Sequence, residues 1–231
     1  MIFKEPENII AIQSNRPQDV FYVHWNLGKR CNYDCSYCAD SLHDFKSPHR
    51  SLENLIEIAE KMKANIPASK RIRIWFTGGE PTVNPNFLPF CEWLMKDGRF
   101  MVGLNTNGSR TTNYLLELMS HINVIQFSSH FEYVEHDTFL PKMKAVSEYV
   151  SDKAGKSMSL NLMMEPEHWD AAVRMVKYCI KHNIPYHMKR IRPKSVVDEG
   201  KKHYTPAYTD DQIRFLVDNE YRNVILEEYD D

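Results

Sequence analysis

The feature that most limits what this chain can become is an alternation repeated along its length: a short apolar run, then a segment with helical apolar spacing. Apolar runs at 21–27, 71–76, 100–104, 122–127, 157–164 and 185–191 read as six strands. Between and after them, segments from 51, 86–96, 112–121, 138–152, 168–182 and 210–219 read as helices. Ser51 is a suitable N-cap and Glu53 suits the positive end of the helix dipole, although Asn54 stands where a full capping box needs Glu or Gln. Strands alternating with helices predict a parallel sheet covered by helices, joined by right-handed crossovers. An open doubly wound sheet and a partial barrel both satisfy that pattern.

A chain of 231 residues is expected to form one domain over 1–231, with a core at about 20–192 and a lid-like connector plus closing helix over 193–231. Charge is balanced, with 29 Lys and Arg against 31 Asp and Glu. A surface built for nucleic acid shows as a basic excess, and there is no such signal here. No apolar run approaches the ~18 residues of a membrane span. The segment Met1-Ile2-Phe3-Lys4-Glu5-Pro6 lacks the basic-then-apolar layout of a secretory signal, so a cytoplasmic protein without a membrane partner is expected.

Five cysteines are an odd number for a disulfide framework, and three of them fall in Cys31-Asn32-Tyr33-Asp34-Cys35-Ser36-Tyr37-Cys38, directly after the first strand. Thiolates this close converge on one metal centre. Zinc would need a fourth ligand, for which His24, His43 and His49 are available. A ferredoxin-like site would need a fourth cysteine, and Ala39 and Asp40 come next instead. Three cysteines on a [4Fe-4S] cluster would leave one iron open to bind a molecule. Zinc, an open cluster and plain packing all remain compatible with the spacing. Cys91 and Cys179 sit on apolar helical stretches and read as buried thiols.

The C-x3-C-x2-C run, with aromatic Tyr37 before its last cysteine, resembles the signature of the radical S-adenosylmethionine (radical SAM) superfamily. Thr77-Gly78-Gly79-Glu80-Pro81 resembles that family's GGE motif, and Asn105-Thr106-Asn107-Gly108 is similar to its TNG segment. The motifs come in family order, each after a strand, and the resemblance spans about 20–192. It implies an α/β fold, a partial open parallel (β/α)6 barrel, TIM-barrel-like, with one cluster and no auxiliary cysteine-rich extension. It also implies that Cys31, Cys35 and Cys38 ligate a [4Fe-4S] cluster whose open iron chelates S-adenosyl-L-methionine (SAM). Gly78 and Gly79 would let the strand edge approach that ligand, and Glu80 would pair with the methionyl ammonium. Tyr37 would pack near the adenine, while Asn105, Thr106 and Ser128 would contact the methionyl carboxylate or ribose. The reduced cluster would cleave SAM to a 5′-deoxyadenosyl radical that abstracts hydrogen from a substrate.

Strand alternation adds a second set of residues. His24 and Asn26 share a face opposite Trp25 and Leu27, as do Gln126, Ser128 and His130 opposite Ile125 and Phe127, and Ser159 and Asn161 opposite Leu160 and Leu162. A sheet covered on one face and polar on the other encloses a cavity. The last strand ends Lys189-Arg190-Ile191-Arg192, a basic edge suited to a carboxylate or phosphate, although Lys189 and Arg190 cannot both face inward. The expected substrate is a polar or anionic small molecule in contact with His24, Asn26, Gln126, His130, Asn161, Lys189, Arg190 and Arg192. The expected partner is an electron donor such as flavodoxin or ferredoxin, docked near Lys29-Arg30. An activase acting on a partner protein and a non-enzymatic zinc or cluster module are the competing readings.

Overall fold

In the computed structural model, the described residues are 19–39, 41–191 and 206–224. The chain runs β1 (Val20–Asn26), α1 (Leu52–Asn65), β2 (Arg71–Thr77), α2 (Phe87–Lys96), β3 (Phe100–Thr106) and α3 (Thr112–Ser120). It continues through β4 (Val124–Ser129), α4 (His136–Val150), β5 (Ser157–Met164), α5 (Trp169–His182), β6 (Tyr186–Arg190) and α6 (Asp210–Val224). The six strands lie in sequence order, all parallel, in one sheet in which β1 and β6 are the two edges. This is the expected open (β/α)6 arrangement.

Period-2 alternation sorts each strand into two faces. Ile72, Ile74 and Phe76 of β2, Val102 and Leu104 of β3, Ile125 and Phe127 of β4, and Leu160 and Leu162 of β5 are buried toward the helices. They meet Leu55 of α1, Phe87 and Phe90 of α2, Leu115 and Leu118 of α3, and Met175 of α5. Cys91 and Cys179 belong to this core, as their apolar surroundings predict. Ser51 caps α1, its hydroxyl accepting the Asn54 N–H at 3.2 Å.

Three strands run further than their apolar residues suggest. Thr77, the pair Asn105 and Thr106, and the pair Ser128 and Ser129 are strand residues, not loop. Polar side chains read as loop when a strand is taken to need apolar residues, but at a barrel mouth they face the site or the rim. At the β5–β6 edge of the sheet, Tyr208 anchors the approach to α6. Its hydroxyl donates to Met164 O at 2.7 Å and accepts from Ile191 N at 2.9 Å, and Trp169 packs edge-on against both Tyr208 and Phe215. The part of the expected lid over 193–205 lies outside the described residues, while Tyr208 is an anchor and not a lid.

Candidate functional site

The β1–β2 ladder continues past both strands. Leu27 N–H donates to Thr77 O at 2.9 Å, Gly79 N–H to Gly28 O at 2.8 Å and Glu80 N–H to Arg30 O at 2.8 Å. This run delivers the chain to Cys31 directly above β2. A Cβ on Gly78 would stand 2.5 Å from Gly28 O, and one on Gly79 would stand 2.3 Å from Arg30 O. Gly78 also has φ +124, a conformation that L side chains rarely adopt. Both glycines therefore admit the protein's own cysteine segment. Both also line the cysteine cavity, so this packing role stands beside the expected approach to a ligand.

The loop is braced along its length. Cys31 N–H donates to Asp44 O at 2.8 Å and Asp44 N–H to Lys29 O at 2.9 Å. The Asp44 carboxylate accepts from Lys46 N, Ser47 N and Ser47 Oγ, which pulls its pKa down to about 2. Tyr33 N–H points at Cys31 Sγ, 3.4 Å away. His43 has both ring nitrogens engaged, Nε2 with Asp34 Oδ1 at 2.8 Å and Nδ1 with Ala39 O at 3.2 Å. It braces the loop and is not a fourth ligand awaiting zinc.

Cys31, Cys35 and Cys38 line one cavity of about 190 Å³ together with Gly78, Gly79, Glu80, Asn105, Thr106, Ser128 and His130. Among the described residues, no three His, Cys, Asp or Glu side chains converge as a single metal ion requires. The thiols ring a space instead, the arrangement suited to a body larger than one ion. Burial pushes the Cys31 and Cys35 thiols up, so bound iron would have to displace their protons.

Glu80 is 3% exposed at the edge of this cavity. Its Oε1 accepts from Thr82 N at 3.0 Å, Thr82 Oγ1 at 2.6 Å and Thr106 Oγ1 at 2.8 Å, and its Oε2 from Asn107 N at 2.6 Å. No ion pair among the described residues offsets its charge. Burial raises its pKa against the pull of those four donors. A buried carboxylate so arranged is completed by a cation. The Asn105 side-chain oxygen is also buried without a partner. Three thiols, a carboxylate lacking a counter-charge and a free carbonyl on one cavity fit the cluster and the amino-acid end of SAM.

Several expected contacts take other places. The Thr106 hydroxyl donates to Glu80 and accepts from Gly108 N at 3.2 Å, so it organises the rim of the cavity it lines. Tyr37 stands behind the cavity wall, its ring stacked on His130 and its hydroxyl 2.6 Å from His130 Nδ1. His130, expected to meet substrate, belongs to the cysteine cavity, and burial lowers its pKa to about 4.

Asn26 accepts from Gly28 N at 3.1 Å and shapes the turn, whereas His24 is exposed beside Trp75 in the ladder. Gln126 Nε2 donates to Ser159 Oγ at 3.2 Å. Asn161 is 8% exposed, and its Oδ1 has no partner. Lys189 pairs in register with Met163, on the inner side with Asn161 and His187. Arg190 points the other way, over the Tyr208 ring at 5.3 Å, so it leaves the expected basic edge. Arg192 lies outside the described residues.

Sequence reasoning missed Glu132 and Tyr133 after β4 and Glu165 after β5. Glu132 and Tyr133 hold the cysteine loop. Glu165 is 1% exposed, with Oε2 2.8 Å from His168 Nδ1. Their one sequence signal is position just past the C-terminal end of a parallel strand, where barrel sites are built.

Comparison with known proteins agrees with this geometry. Over 92 residues the chain is 34% identical to GTP 3′,8-cyclase of Haemophilus ducreyi, a match covering 38% of this chain and 26% of the cyclase. Over 104 residues it is 28% identical to the tungsten-containing aldehyde ferredoxin oxidoreductase cofactor-modifying protein of Pyrococcus furiosus, covering 45% and 28% of the two chains. The matches thus span under a third of these relatives. In fold it is similar to Streptococcus suis SuiB, solved bound to S-adenosylmethionine, with a TM-score of 0.58, 18% identity, and coverage of 91% of this chain and 48% of that one. None of the described helices is long and apolar enough to cross a membrane. The Radical SAM superfamily model matches residues 25–191, most of the chain. With the three motifs gathered at one barrel mouth, the chain belongs to the radical SAM superfamily, enzymes that use a [4Fe-4S] cluster and SAM.

Proposed function

We propose that this enzyme performs SAM-dependent hydrogen abstraction on a polar small molecule held against the inner face of the sheet. The observation that carries the reading is the single cavity where Cys31, Cys35 and Cys38 meet Glu80, a buried carboxylate with four donors and no counter-charge. The three thiolates hold the cluster. Glu80 receives the methionyl ammonium, its carboxylate already oriented by Thr82, Thr106 and Asn107. Asn105 and Ser128 offer polar contacts to the remainder of SAM, and neutral His130 forms a wall without adding charge. Held by Cys31, Cys35 and Cys38, the cluster would supply the one-electron chemistry that reductive cleavage of SAM and hydrogen abstraction require.

The substrate lies along Gln126, Ser159, Asn161 and Lys189, with His24 and Asn26 on the opposite edge. Its polarity follows from these groups, and Lys189 is an inner-face cation near the mouth for an anionic part. Partial similarity to a GTP 3′,8-cyclase supports a small-molecule substrate over a protein one. A one-electron donor such as flavodoxin or ferredoxin, in the cytoplasm, supplies the reducing equivalent.

The test is anaerobic reconstitution with iron and sulfide, followed by reduction with SAM present and assay for 5′-deoxyadenosine. The parent forms product, and Cys35→Ala loses both the cluster and at least 100-fold of the activity. A parent that binds zinc without sulfide and forms no product overturns the reading.

A further inference from the structure

The turn after β4 closes on the cysteine loop from across the barrel mouth. Tyr133 stacks on Tyr33 with ring centroids 4.5 Å apart and planes 10° apart, and its hydroxyl accepts the Asp34 N–H at 3.1 Å. The Glu132 carboxylate accepts the Ser36 N–H at 2.8 Å and also takes the Ser36 hydroxyl. Asp34 and Ser36 flank Cys35. The backbone donors on either side of that thiol are therefore directed to the turn and away from sulfur. Only a little earlier in the loop, the Tyr33 N–H takes the other course and points at Cys31 Sγ.

Iron–sulfur potentials respond to net charge and to hydrogen bonds at the sulfurs. An N–H aimed at sulfur stabilises the added electron, and a nearby carboxylate opposes it. Both features of this turn act in the same direction. The Glu132 carboxylate grips both the N–H and the hydroxyl of Ser36, one residue from Cys35. A negative charge set that close to a cluster ligand disfavours a further electron on iron bound to it.

We propose that Glu132 and Tyr133 hold the cluster's reduction potential low, by keeping the Asp34 and Ser36 amides from its sulfurs and setting a carboxylate beside Cys35. The inference rests on the cluster reading above. Glu132 lies outside the lining of the cysteine cavity and acts through Ser36, so it is a positioning residue. A lower potential makes the reduced cluster a stronger donor, as cleavage of a sulfonium demands.

The experiment is a redox titration of reconstituted holoprotein, followed by the electron paramagnetic resonance signal of the reduced cluster, with iron and sulfide counted in each sample. Glu132→Gln removes the charge but keeps an acceptor for Ser36. Glu132→Ala removes both, and Tyr133→Phe removes only the acceptor for Asp34 while keeping the ring stack. All three are expected to load iron and sulfide at parent levels and to shift the midpoint positive, most in Glu132→Ala and least in Tyr133→Phe. Intact clusters with unchanged midpoints overturn the inference and leave the cluster reading standing. Loss of the cluster from all three reduces the turn to a brace and also overturns it. A parent that assembles no cluster overturns both.

Discussion

The rim between β2 and β3 and the inner face of β5 each hold a buried polar group, Glu80 and Asn161, but the two are satisfied to different degrees. At the rim, Glu80 gathers two amides and two hydroxyls, and Thr106 also serves Gly108. On β5, Asn161 lies in the sheet between Ser128 and His187 with its Oδ1 unpartnered. A buried polar atom without a partner costs about 1–3 kcal/mol, so it is retained where something else is gained. At the rim Glu80 is held by its own hydrogen bonds, although Asn105 Oδ1 on the same cavity has no partner among the described residues. The inner face offers, at Asn161 Oδ1, an acceptor with no partner among the described residues. The first suits a cofactor geometry shared across a family, and the second suits a substrate that differs among its members.

That contrast can be broken by substitution. Glu80→Ala leaves four buried donors without their acceptor, and we expect a loss of roughly 3–5 kcal/mol in urea unfolding. A loss under about 1 kcal/mol would mean the rim is not the self-supporting network described. His130 probes the wall of the cysteine cavity. Its folded pKa of about 4 lies below the ordinary 6.5, so its contribution is complete above pH 6.5 and declines as pH falls toward 4. The parent should lose on the order of 3 kcal/mol more than His130→Asn over that window, read as the difference between their urea midpoints. Parallel curves for the two proteins would place His130 in contact with water. The smallest effect has the opposite sign. Asn161→Leu replaces an unpartnered amide with an apolar group of similar size, and Tm should rise, by about 1 kcal/mol of stability. A fall in Tm would show the amide already satisfied and remove it from the substrate surface.

Much of the fold was legible because its signals are local. The six apolar runs and the helical segments found their places, and Ser51 caps α1 as its residue type suggests. Strand ends were less legible. Asn105 and Thr106 are polar strand residues that only the pairing ladder identifies as such, whereas alternation already sets Ser128 on the face of Gln126. The site divides in the same way. The cysteine spacing brings three thiols to one cavity, because short loops allow little else. Glu132 stands 96 residues from the serine it grips, and no spacing reveals such a contact.

The sequence by itself determined the alternation that makes a parallel sheet, the cysteine triplet and the family to which both belong, since each is written in neighbouring residues. Tertiary structure decided which way side chains turn and which polar groups are already engaged. Lys189 faces inward and Arg190 outward because one residue reverses the face of a strand. Gly78 and Gly79 yield to the protein's own backbone because the β1–β2 ladder continues above them. Glu80 remains available to a cation because its four partners donate hydrogen bonds but carry no charge. Hydrogen-bond satisfaction depends on every neighbour in three dimensions, and that is why only the folded chain separates the fully bonded Glu80 carboxylate from the unpartnered Asn161 and Asn105 oxygens.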